Sequence, residues 1–206
     1  MSATHLLLIR HAEVEPRYQR VFGGEIDMDL SARGHEQAAT LARHLSREKL
    51  DAVYASPMKR VQQTLGPLLG NGVPDPVVLH DLREVDFGDW TGLVWEEIQT
   101  HSGISAFDWL TELERGTVPN AESGAALRAR VEPCLQRILR DHAGQTVAVF
   151  SHGGVIRMLL GILLGLPLRE TAQFEIDHAS VTRVAVNPDQ AEIELLNFTP
   201  WRDRSP

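Results

Sequence analysis

The sequence predicts an α/β fold: a three-layer sandwich with a mostly parallel sheet, helices on both faces. Three observations carry that prediction. Short apolar runs alternate with longer stretches patterned as helices through most of the chain. The strongest runs are apolar at every position, as expected of strands covered on both faces. They also stop abruptly at polar residues, Arg10-His11 and Ser151-His152, as strands do where they feed a ligand site at their carboxyl ends.

Thr4-His-Leu-Leu-Leu-Ile9 is the first such run, and a Gly- and charge-rich loop, Ala12 to Leu30, follows it. Ser31 is an N-cap for a helix to about Glu48, with Ala38, Leu41, Ala42 and Leu45 on its apolar face. Ala52-Val-Tyr-Ala55 reads as a second strand. Ser56-Pro57 supplies a cap and an N1 proline for a helix from Met58 to about Leu69. Val77-Val-Leu79 is a third strand. The pattern then turns irregular, and residues 89–122, with Trp90, Trp95, Phe107 and Trp109, read as an excursion on short helices. Ser123 caps a long helix to about His142, which Pro133 is expected to kink or break. Thr146-Val-Ala-Val-Phe150 is the strongest strand, and after Ser151-His152-Gly153-Gly154 a helix runs from about Val155 to Leu164. Alternating residues at 172–176, 181–186 and 193–198 predict three more strands, the last two a hairpin around Asn187-Pro188-Asp189.

With 206 residues, 43% hydrophobic and 23% charged, the chain can bury one sizeable core. It is read as one domain, 1–206. The 28 acidic residues outnumber the 20 basic ones, for a net charge of −8, which argues against a nucleic-acid partner. A single cysteine, Cys134, excludes a disulfide framework and a multi-cysteine zinc site, and sits on an apolar helix face as packing. No pair of the nine histidines has a metalloprotease-type spacing, so no metal is expected. Ser151 does not sit in a serine-hydrolase elbow. The first ten residues lack an export signal, and the longest apolar stretch, 155–168, contains Arg157, two glycines and Pro167. It is too short to span a bilayer. A cytoplasmic protein with no membrane association is the expectation.

If the four strands are parallel neighbours, their carboxyl ends bring together Arg10, His11, Arg60, Glu84 and His152. Arginine forks match phosphoryl oxygens. The helix that starts after Gly153-Gly154 aims N–H groups at the same place. A neutral imidazole there can attack phosphorus, and a glutamate can protonate the leaving oxygen. Each residue alone has a plainer reading: a hydrogen-bonding histidine, a surface ion pair, a loop charge, a tight turn. The convergence separates the two readings.

The blocks that carry these residues resemble the histidine phosphatase superfamily, with its phosphoglycerate-mutase-like fold, over nearly the whole chain. They are Leu7-Leu-Ile-Arg10-His11-Ala12, Gly24 to Ala38, Ser56-Pro-Met-Lys-Arg60-Val-Gln-Gln-Thr64, Leu82-Arg-Glu84-Val-Asp-Phe-Gly-Asp-Trp-Thr-Gly92 and Ser151-His152-Gly-Gly-Val-Ile-Arg157. The resemblance implies that His11 is the phosphorylated nucleophile, that Arg10, Arg60 and His152 bind the phosphoryl group, and that Glu84 is the proton donor. Gly153 adds a backbone contact. Val14, Arg17, Asp29 and His178 depart from the family's usual residues, and Arg17 is a candidate to grip a second anionic group. The Phe-Gly-Asp-Trp-Thr-Gly wording resembles the phosphatase branch. A phosphatase acting on a small phosphorylated substrate, without a cofactor, is therefore the reading. The alternatives are a cofactor-dependent phosphoglycerate-type mutase and a non-catalytic phospho-ligand-binding module. The substrate and the oligomeric state are not legible in the sequence.

Overall fold

The computed structural model describes residues 2–70, 72–105 and 108–203, leaving the side chains of residues 101 and 102 outside the description. Six strands, β1 (Thr4–Arg10), β2 (Ala52–Ala55), β3 (Val77–Val78), β4 (Thr146–Ser151), β5 (Val181–Val186) and β6 (Ala191–Phe198), form one sheet in the order β3-β2-β4-β1-β5-β6. The first four in that order are mutually parallel, and β5 and β6 complete the edge antiparallel. The α/β sandwich predicted from the sequence is the fold observed.

Alternation along the strands sends side chains to two separate cores. Leu7, Ile9, Val53, Ala55, Ala148 and Phe150 face α1 (Ala32–Leu45) and α2 (Lys59–Leu65). Leu6, Leu8, Tyr54, Val147 and Val149 face α4 (Trp109–Arg115), α5 (Gly124–Asp141) and α6 (Gly153–Leu164), with Ile98 of α3 (Trp95–Ser102) in the same cluster. The inner strands β1, β2 and β4 are apolar at successive positions because both faces of the sheet are covered there. Each fully buried Leu or Ile among them contributes about 1.5–3 kcal/mol.

Local signals place most elements. The Ser31 hydroxyl accepts from the Gly34 N–H and opens α1, and Ser123 does the same for α5 through Ala126. The helix passes through Pro133 as one element, where the sequence suggests a kink or break. Cys134 is buried, and burial pushes its thiol up. Residues 172–176 are not a strand. A 3-10 stretch, Leu168–Gln173, takes the first two of those residues and the rest is irregular; the stretch is tightened by the Thr171 hydroxyl donating to the Leu168 carbonyl at 2.6 Å. It packs against α4 and α6 instead of joining the sheet. The hairpin between β5 and β6 closes through Asn187 N–H to Gln190 O. Within the 89–122 excursion Trp90 is buried in the larger core, while Trp95 and Trp109 pack at its margin. Phe107 lies outside the described residues. Among the described residues no helix is long and apolar enough to cross a membrane.

Candidate active site

Register brings the two histidine motifs together. Arg10 at the end of β1 pairs with Ser151 at the end of β4, and the His11 N–H donates to the Ser151 carbonyl at 3.0 Å. The residue after each strand is therefore a histidine, and the two rings lie 5.3 Å apart between centroids. Strand β2 lies on the other side of β4, with the Ser56 N–H donating to the Phe150 carbonyl. This delivers the start of α2, and with it Arg60, to the same edge.

The His11 ring is fixed in orientation and tautomer. Its Nδ1 lies 2.8 Å from the Ala12 carbonyl. A carbonyl only accepts, so Nδ1 carries the proton and Nε2 keeps a lone pair. The Ala12 peptide is itself pinned, because its N–H donates to the Thr64 hydroxyl at 2.9 Å. Burial holds the His11 imidazole well below its usual 6.5, and the neighbouring Arg60, His152 and Arg10 push it the same way. The ring is neutral at physiological pH, with the lone pair of Nε2 available.

Two arginines flank it. Arg60 is buried and donates to the Ile26 and Gly24 carbonyls at 2.9 Å each. Burial brings its guanidinium down to about 10, with Glu84 opposing that shift. Arg10 donates from Nη1 to the Ile176 carbonyl at 2.6 Å, while its buried Nε has no partner. His152 is fully buried; Ser56 Oγ lies 2.8 Å from its Nε2, and its Nδ1 has no partner. Glu84 sits over the N-terminus of α6. Its Oε1 accepts from the Val85 N–H at 3.0 Å and from the Gly154 N–H at 3.2 Å.

Arg10, His11, Arg60, Glu84 and Gly153 line one cavity of about 470 Å³. His152 stands behind that lining, against the His11 ring. Gly153 and Gly154 belong to the first turn of α6, two residues earlier than the apolar pattern suggests, so their N–H groups are free of intrahelical partners. Ser56 is not the cap of α2. That helix starts at Lys59 with Met58 before it, and the Ser56 hydroxyl is taken by His152. The structure does not bring Arg17 to the cavity. Its guanidinium pairs with Glu15 at 2.9 Å, stacks on Tyr18 and is 68% exposed.

Trp95 and Trp109 of the 89–122 excursion stand in the cavity wall, as expected of aromatics in that stretch; Arg157, Asp177, Arg20, Phe22 and Phe87 also line it and are not singled out in the sequence. Arg157 is one helical turn beyond Gly153, and spacing from the true start of α6 would have found it. The aromatic wall is assembled by edge-to-face contacts of Phe22, Phe87 and Trp109, which leave no periodic signal. Among the described residues no cluster of His, Cys, Asp and Glu is arranged to hold a metal ion.

Residues 6–199 match the histidine phosphatase superfamily (branch 1). The chain belongs to that superfamily. It is 34% identical over 194 residues to phosphoserine phosphatase 1 of Hydrogenobacter thermophilus, covering 94% of this chain and 92% of that one. It is 28% identical to the adenosylcobalamin/alpha-ribazole phosphatase of Escherichia coli, over 93% and 95% of the two chains. The solved alpha-ribazole phosphatase of Shigella flexneri superposes with a TM-score of 0.81 at 27% identity, covering 95% and 96%. These relatives are phosphatases, and this member of the superfamily is a phosphomonoester phosphatase; neither the mutase nor the binding-module reading is favoured.

Proposed function

We propose that the protein hydrolyses a small phosphomonoester by two displacements at this cavity. In the first, His11 Nε2 attacks phosphorus, the bond from phosphorus to the leaving oxygen breaks, and Glu84 gives that oxygen its proton. In the second, water attacks the phosphohistidine, Glu84 takes the water's proton, and His11 leaves as neutral imidazole. Arg10, Arg60 and His152 hold the phosphoryl oxygens, over which the transition-state charge spreads. The Gly153 N–H adds a donor from the start of α6.

One observation carries this reading: His11 has its protonated nitrogen bound to the Ala12 carbonyl, leaving a bare Nε2 beside Arg10 and the buried Arg60. The substrate's alcohol then occupies the outer cavity, where Arg20, Arg157, Glu13 and Asp177 offer both signs of charge and Phe22 and Trp109 a flat apolar wall. Phosphoserine and alpha-ribazole phosphate, the substrates the relatives' names point to, are the first candidates. The chain acts as one domain, 1–206, in which the 89–122 stretch supplies part of the outer wall through Trp95 and Trp109.

The test is rapid mixing with labelled substrate, stopped in alkaline detergent. The expected result is a base-stable, acid-labile phosphoenzyme in the wild type and none in His11→Ala, whose turnover falls by about 10⁴-fold or more. Undiminished turnover in His11→Ala would overturn the reading.

A further inference from the structure

A third imidazole stands at the nucleophile and has no part in the scheme above. His178 lines the cavity, and its ring centroid is 5.4 Å from that of His11. The three rings differ in how they are held. His11 donates to Ala12 O, and His152 is bonded to Ser56. The nitrogens of His178 bond to no side chain or backbone group among the described residues.

Its backbone is held firmly by contrast. The His178 carbonyl accepts from Trp201 Nε1 at 2.9 Å. The following N–H, of Ala179, donates to the His11 carbonyl at 3.1 Å, and Ala179 takes a left-handed φ of 52° to do so. Such a conformation costs a non-glycine residue energy and persists where surrounding contacts impose it. The segment is thus tied directly to the nucleophile's own peptide, with a free imidazole facing the reaction space. Burial, together with Arg10 and Arg60, keeps the ring well below its usual 6.5. A neutral imidazole offers one N–H donor.

We propose that His178 is a further phosphoryl-contacting residue, which donates its ring N–H to a phosphoryl oxygen as charge builds in the transition state. This rests on the reading of His11 as nucleophile. It makes the phosphoryl cradle one of two arginines and two flanking imidazoles. The hydrogen bond is to the transferred group and not to the alcohol, so its loss acts equally on every substrate.

The test compares His178→Phe, His178→Ala and His178→Asn with wild type, using p-nitrophenyl phosphate and phosphoserine. Phe keeps an aromatic ring without a donor, and Asn keeps an N–H donor without the ring. Loss of one hydrogen bond to a charged group lowers kcat/KM by about 10- to 100-fold. That loss is expected in Phe and Ala, by the same factor for both substrates, with most of it recovered in Asn. Thermal unfolding checks that each variant is folded, and Phe serves if Ala is not. Wild-type activity in folded His178→Phe overturns the inference, as does a loss confined to one substrate or an equal loss in Phe and Asn. These outcomes are separate from failure of the nucleophile reading, which shows as turnover in His11→Ala.

Discussion

Arginines stand on two sides of Glu84, Arg130 on one and Arg10 and Arg157 on the other, and they are wired in opposite ways. On the scaffold side, Arg130 of α5 forms a fork with Glu122, Nε to Oε1 at 2.6 Å and Nη2 to Oε2 at 2.8 Å. Its remaining donors go to the carbonyls of Asp81, Arg83 and Glu84. On the cavity side, Arg10 and Arg157 each keep a buried Nε with no partner, and His152 keeps an unpartnered Nδ1. Burial also lowers the Arg157 guanidinium to about 10. Donors left open inside a protein are costly unless something arrives to accept from them. The satisfied network fixes the segment that presents Glu84, and the unsatisfied one is open to the phosphoryl group in the proposed reaction. Charge alone does not separate scaffold from site. Hydrogen-bond completeness separates Arg130 from Arg10 and Arg157.

The comparison breaks most directly at the scaffold pair. Arg130 and Glu122 side chains are 9% and 11% exposed, so Glu122→Ala leaves a buried charge without its counterion. The expected cost is about 3–5 kcal/mol, read by urea unfolding. Activity should fall as well, since three carbonyls around Glu84 share the same guanidinium. Replacing both partners by methionine should recover part of the stability, because no charge is then stranded. A cost below about 1 kcal/mol would class the pair with exposed surface bridges.

The next largest effect tests the position of Glu84. A Cβ on Gly154 would lie 2.6 Å from Val85 Cγ2 and 2.7 Å from Glu84 Oε1. Gly154→Ala must therefore push the carboxylate off the helix N-terminus, and kcat should drop by about 10- to 100-fold. Gly153→Ala is the control. There the added methyl meets Arg10 Nε and Arg157 Nη1 at 3.6 Å, an ordinary contact, so turnover should stay within a few-fold of wild type. Equal effects at the two positions would mean that Glu84 placement does not limit the reaction.

These particular residues also show where sequence reasoning reaches and stops. His11, His152, Arg60 and Glu84 are legible because strand ends in a parallel sheet converge by topology, whatever the side chains do. The start of α6 is missed because Gly153 and Gly154 carry no apolar signal, although they are helical; Arg157 is missed with it. Ser56 looks like a cap from its place before Pro57, but the pull of a buried imidazole acts across 96 residues of sequence and leaves no local trace. Residues 172–176 alternate as a strand does, yet the sheet edge next to β1 is already occupied by β5. Period two is a necessary condition for a half-buried strand and not a sufficient one.

A pH titration of stability probes mainly the cavity side, with His44, also lowered by burial, adding a smaller share. His11, His152 and His178 all sit well below 6.5 when folded, burial being the main cause for each. The unfolded chain binds protons at these rings as the pH falls through 6.5, while the folded chain does not. Stability is therefore full above that value and is lost below it, with a slope of up to about 1.4 kcal/mol per pH unit for each histidine. Urea unfolding from about pH 7 to about pH 5 should show the fall, and His11→Asn should reduce its slope by one proton's worth. A flat profile would mean that the rings take up protons alike in the folded and the unfolded protein.

The smallest expected effect concerns the loop residue that the sequence offered as a second anion grip. Arg17 and Glu15 are close enough for a good ion pair, but the guanidinium is 68% exposed. An exposed pair of this kind contributes about 0–1 kcal/mol. Both partners belong to the same short stretch, so the pair ties the loop only to itself and does not reach the cavity. Arg17→Ala should leave kcat/KM for phosphoserine within about twofold of wild type, since surface changes away from special features stay within about 0.5 kcal/mol. The matched change Arg157→Ala removes a guanidinium from the cavity wall and should exceed it clearly. A larger loss at Arg17 than at Arg157 would show that the loop folds over the substrate when it binds. In that case the pairing with Glu15 would be the resting state of a mobile binding residue, and burial in the free protein would be a poor guide to which arginines serve the reaction.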